Sequence, residues 1–180
     1  MSVPARLLIA LVLLSAKQTM PMAEARADEA TEAYAEPDDL LAHLVGIWDL
    51  NGSMGNVALH QTVNGDWFFG KRFLRLDFLE VVRADHPTRP YEALYVVAYD
   101  GSKRHYQLHL FDTFGAKYAG TVGFGERRGN SIDFLFDYPD GLFSNVFTFD
   151  PTTGVWTMLL RQRDAAGNWH DFARKTMHRR

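Results

Sequence analysis

Phe143-Ser144-Asn145-Val146-Phe147-Thr148-Phe149-Asp150-Pro151-Thr152-Thr153-Gly154-Val155-Trp156-Thr157-Met158-Leu159-Leu160 is the stretch that decides the fold. Pro151 presets φ and Gly154 tolerates positive φ, so Pro151–Gly154 reads as a four-residue reversal. Folding about it sets Phe149 opposite Trp156, Phe147 opposite Met158, Asn145 opposite Leu160 and Phe143 opposite Gln162. Ser144, Thr148, Thr157 and Arg161 fall on the other face. One greasy face and one wet face describe an antiparallel hairpin lying on a core.

The same period continues outward in both directions. Ile132, Phe134, Phe136 and Tyr138 alternate with Ser131, Asp133 and Asp137. A two-residue loop at Gly101-Ser102 sets Val97 opposite Tyr106 and Tyr95 opposite Leu108, with Ala98 facing His105 and Val96 facing Gln107 on the other side. A five-residue last loop sets Gln162 opposite His170 and Leu160 opposite Phe172. Strands are expected near 46–53, 56–63, 66–80, 91–100, 103–112, 117–126, 131–138, 143–150, 155–163 and 169–177, with further turns at Asn64-Gly65 and Gly129-Asn130. Ahead of them Leu40, Leu41 and Leu44 share one helical face, Asp38 and Asp39 suit a first turn, and Gly46 lies past its end.

A meander with one apolar face and no helices to cover it buries that face by closing on itself. The expected fold is therefore all-β: a single antiparallel meander barrel of about 8–10 strands with a short N-terminal helix. A two-sheet sandwich is the less favoured arrangement, because the strand order shows no long crossover.

Composition agrees with one domain rich in strands: of 180 residues, 47% are hydrophobic and 13% aromatic. Arg6 followed by the apolar run Leu7 to Ala16, too short to span a bilayer as a helix, and the small-x-small Ala25-Arg26-Ala27 match an export signal. The expected organisation is a signal peptide at 1–27, a flexible leader at 28–37 and the barrel at 38–180, with an exported, periplasmic or secreted, destination. Cleavage after Ala27 removes Arg6, Lys17, Arg26 and Glu24, leaving 16 basic and 21 acidic residues and a net charge of −5. That balance, with no basic stripe interleaved with aromatics, argues against a nucleic-acid partner. No integral membrane span is expected once the signal is removed. The chain has no cysteine, which excludes disulfide staples and thiolate chemistry.

Leu44-Val45-Gly46-Ile47-Trp48-Asp49-Leu50, a short helix running into the first strand through Gly-x-Trp, resembles the opening of lipocalin and other calycin barrels. Residues from about 40 to 178 resemble the uncharacterised lipocalin-like proteins that bacteria export. The resemblance implies that Trp48 closes the barrel floor beneath a basic side chain from the last strand. Arg174 matches that role, with Arg161 and Arg163 as alternatives; the contact is a cation–π one. A more distant resemblance is to nitrobindin-like haem barrels: Gly52 and Gly55 echo their glycine series, while Met54-Gly55-Asn56-Val57 stands where they carry Tyr-Pro. It implies haem as a conceivable cofactor with His170 or His178 as ligand; otherwise none is expected.

Polar groups on core faces need partners, and in a barrel a ligand can supply them. Tyr95, Arg104, Tyr106, Asn145, Gln162 and His170 are the candidate ligand-binding residues on this ground. No metal site is expected: His105 and His109 share a face but stand ~13 Å apart along a strand, too far to chelate one ion. Asp137-Tyr138-Pro139-Asp140-Gly141 is turn chemistry. There is no Gly-x-Ser-x-Gly, His-Glu-x-x-His or phosphate loop, so no catalytic residue is assigned. The expectation is a barrel that binds a small, largely apolar molecule. The alternatives are a barrel enzyme, an isomerase or hydrolase using a pocket His or Tyr, and a solid barrel acting as an envelope interaction protein.

Overall fold

The computed structural model describes residues 38–81 and 90–180. The expected signal peptide and leader lie outside the described residues. A single-turn helix, α1 (Asp39–Ala42), precedes β1 (Gly46–Met54), β2 (Val57–Phe68), β3 (Phe73–Glu80), β4 (Glu92–Asp100) and β5 (His105–Asp112). A second turn of helix, α2 (Ala116–Ala119), leads to β6 (Val122–Arg128), β7 (Ser131–Tyr138), β8 (Gly141–Asp150), β9 (Val155–Arg163) and β10 (Trp169–Arg179). The ten strands form an antiparallel meander, and β10 returns to pair with β1, closing the barrel. The fold class is as the alternation required; the helix, though, sits at 39–42, not at the chain's start.

Registers show which local rules governed. The β8–β9 hairpin has the predicted pairing, Phe149 with Trp156 through Phe143 with Gln162, and Gly129-Asn130 is a two-residue turn between Arg128 and Ser131. The β4–β5 loop is longer than expected, Gly101 to Arg104, so Tyr99 faces Tyr106, Val97 faces Leu108 and Tyr95 faces Leu110. Asp100 causes this: its Oδ1 accepts from the Ser102 and Lys103 amides, and Arg104 closes the turn at φ 55°. A slip of two leaves every side chain on its expected face. The single strand expected over 66–80 is broken at 69–72, where Phe69, Gly70 and Lys71 all take positive φ. At 117–126 the strand begins only at Val122, after α2.

Asn64-Gly65 is not a turn but the interior of β2. A Cβ at Gly65 would stand 2.1 Å from the Leu44 carbonyl oxygen, so this glycine is needed where the chain leaving α1 crosses the barrel wall. Gly65→Ala should cost ~1 to 3 kcal/mol, read as a lower denaturant midpoint, because backbone and not a flexible side chain must yield. An unchanged midpoint would contradict that crossing.

The end of the barrel beneath α1 is filled. Leu40, Leu41 and Leu44 are buried, and Trp48, Trp156, Phe134 and Phe147 pack inward beside them. The one-turn helix leaves carbonyls unpaired at its C-terminal side, and the floor supplies donors. Trp48 Nε1 donates to Leu44 O at 2.9 Å, while Trp156 Nε1 and Arg179 donate to His43 O at 3.4 and 3.2 Å. At the helix start, Asp38 accepts from the Leu41 amide and from the Tyr106 hydroxyl, and Arg127 binds Asp39.

Arg174 does not cover Trp48. Arg179 does, with its guanidinium carbon 4.5 Å from the ring centroid, and Arg174 instead bonds Asp171 on the outer surface. The reason is a β-bulge in β10: Asp171 pairs with Arg161, but Leu160 pairs with Ala173, leaving Phe172 as the extra residue. The slip of one exchanges faces, so Ala173, Lys175 and Met177 point inward where 172, 174 and 176 were expected, and the exposed Arg179, in step with them, reaches Trp48.

Candidate functional site

Among the described residues, the end opposite α1 is open. A cavity of about 560 Å³ enters the barrel there, walled by Met54, Leu59, Tyr95, Leu110, Phe143 and Leu160 and rimmed by Val57, Phe114 and Phe172. Its lining is mostly apolar, with a few convergent polar groups, the usual composition of a small-molecule site. The alternation that buries large side chains at the floor continues to this end, but β4 starts at Glu92 and β10 at Trp169, where the inward positions carry the small Ala93 and Ala173.

Among the polar lining groups, Lys175 is the least ordinary. Only 7% of it is exposed, and burial pushes its ammonium down to about 8. Nζ lies 3.4 Å from Gln61 Oε1, 5.7 Å from the Phe78 ring centroid and 6.0 Å from that of Tyr91. Gln61 is fully buried. Burial, the principal cause, with neighbouring tyrosines and Asp112, raises the Tyr91 and Tyr95 phenols far above their usual range; burial takes Tyr138 up to about 12. All three are therefore neutral hydrogen-bonding groups at physiological pH.

Of the residues expected to bind ligand, Tyr95 and Gln162 line the cavity, Gln162 at its exposed rim. Asn145 is fully buried on β8 outside the cavity lining. Tyr106 is at the closed end, its hydroxyl given to Asp38 at 2.7 Å, so it fastens α1. Arg104 is an exposed turn residue. His170 does face Gln162 in register, yet its ring turns out to the surface and bonds Asp164 at 2.7 Å. His178 is exposed on β10. Neither histidine lines the cavity, so the residues present do not fit a histidine-ligated haem there.

Lys175, Gln61, Tyr91 and Tyr138 were missed. The bulge hid Lys175, although Ala173 and Met177 at spacing two flank it and mark the true inward face. Gln61 lies two residues before the buried Val63, a signal obscured by reading Asn64-Gly65 as a turn.

No family model matches the chain, and no curated relative matches its sequence. Among solved structures, the crystal structure of Rv2717c from M. tuberculosis is similar, with a TM-score of 0.54 and 15% identity over 81% of this chain and 99% of that one. A redesigned β-barrel, b11L5F_LGL, is similar with a TM-score of 0.43 and 11% identity over the same shares. The likeness to Rv2717c is one of fold.

Proposed function

We propose that this chain is an exported, calycin-like barrel that carries or senses a small, largely apolar molecule in the cavity at its open mouth. The observation that carries the reading is the cavity itself: about 560 Å³, apolar walls, and a mouth open to solvent in a barrel whose other end is packed solid. A volume of that size falls within the range of small-molecule sites. A wholly filled barrel, suited only to surface contacts, would have no such space. An acid–base enzyme is less well supported, since His170 turns out from β10 to the surface and bonds Asp164. Export rests on Leu7 to Ala16 and Ala25-Arg26-Ala27.

Native mass spectrometry of the protein from the envelope or medium of its own cells tests both parts. The expected result is a chain beginning at Asp28 that carries a co-purifying apolar molecule, released into organic solvent. A full-length chain found in the cytoplasm would overturn export. A protein that neither retains an apolar molecule nor takes up a hydrophobic fluorescent probe would overturn binding.

A further inference from the structure

Among the described residues, two donors in the cavity wall have no acceptor of adequate strength. Among the described residues, Lys175 Nζ reaches only the long contact to Gln61 Oε1, and no carboxylate pairs with it. Gln61 Nε2 is buried, with no partner among the described residues. With its oxygen facing Nζ, the amide leaves Nε2 as a second donor beside the ammonium. The carboxylates that line the cavity are already engaged. Glu80 accepts from the Tyr91 amide at 2.8 Å, Asp112 accepts from the Phe114 amide at 2.9 Å and the Tyr91 hydroxyl at 3.3 Å, and Asp140 is bound by Lys117 and Tyr118.

A buried ammonium and a buried amide donor that face no anion among the described residues are costly unless something else supplies one. We propose that the ligand is an amphipathic monocarboxylate, its two oxygens accepting from Lys175 Nζ and Gln61 Nε2 and its apolar tail lying along Met54, Leu59, Leu110, Phe143 and Leu160. One ammonium balances one carboxylate, whereas a doubly charged phosphate would bring surplus negative charge among Glu80 and Asp112. The hydrogen bonds are charge-assisted and desolvated, the condition under which they discriminate most. This rests on the cavity being a ligand site.

Decanoate and decanol, equal in chain length and different in head group, separate the two ideas by calorimetric titration at pH 7 into the purified protein. Decanoate should bind at least ~10-fold more tightly than decanol, the worth of a charge-assisted contact. Lys175→Met should remove that preference while still binding decanol, and Gln61→Leu should reduce it. Equal binding of both by the wild-type protein would overturn the carboxylate assignment and leave the cavity reading standing. A preference that survives Lys175→Met would place the head group elsewhere and overturn it too. Binding of neither would overturn both.

Discussion

Trp48→Ala lowers the unfolding free energy by ~3 to 5 kcal/mol, the loss seen when a buried indole is truncated to a methyl group. Three contributions combine. Trp48 is 1% exposed, so its removal leaves a void in a floor packed against Leu44 and Trp156. The Leu44 carbonyl loses its indole donor, and an unpaired buried acceptor is itself destabilising. Arg179 loses the ring it covers. Urea unfolding should show a lower midpoint at unchanged slope, the mark of altered stability and not of an altered end state. Trp48→Phe should fall between, since it keeps a ring but not the N–H. A loss under ~1 kcal/mol for the alanine variant would mean the floor does not rest on this side chain.

Lys175→Met acts in the opposite direction: it should stabilise the ligand-free protein by ~2 to 3 kcal/mol at pH 7, because a buried, uncompensated ammonium gives way to an apolar chain of similar length. The pH dependence follows from linkage. The folded-state value of Lys175, about 8, lies below its ordinary 10.5, so between these values the unfolded chain binds the extra proton. Stability of the wild type therefore rises with pH across that window, and the penalty is fully present below it. The advantage of Lys175→Met should be constant below about pH 8 and shrink as pH approaches 10. Buried Tyr91, Tyr95 and Tyr138 pull the other way above pH 10, and comparison of the two proteins cancels them. A methionine variant no more stable than wild type at pH 7 would show that the ammonium is solvated after all. Saturating decanoate should narrow the gap, since it stabilises the tighter-binding wild type by the difference in affinity, ~1.4 kcal/mol for a tenfold preference.

How far the sequence carried was set by the kind of evidence each feature leaves in it. Alternation over Ile132 to Tyr138 and Phe143 to Leu160 is a repeated signal, and it fixed strand faces and barrel closure. Where a single side chain controls geometry, reading faltered. Asp100 lengthened one loop by two residues at no cost to the facing. Phe172, one unpaired residue, exchanged inside for outside along the end of β10, and with it went both Arg179 and Lys175. Gly65 looked like a turn because its true cause, the Leu44 carbonyl, is 21 residues away in sequence. The cavity left no mark of its own, since a lining residue and a core residue share the same inward alternation. Tyr95 and Gln162 were legible as inward polar groups, but so was Tyr106, which belongs to the plug.

With its floor sealed by α1 and the donors of Trp48, Trp156 and Arg179, the barrel is a blind vessel and not a conduit. Whatever enters must leave by the route it came, in reverse order. If the proposed carboxylate is held near Lys175, it departs tail foremost, so any acceptor waiting at the rim of Val57, Phe114 and Phe172 first meets hydrocarbon. Uptake and discharge then share one gate, and changes to that rim alter both rates together while leaving the equilibrium between them to the groups within.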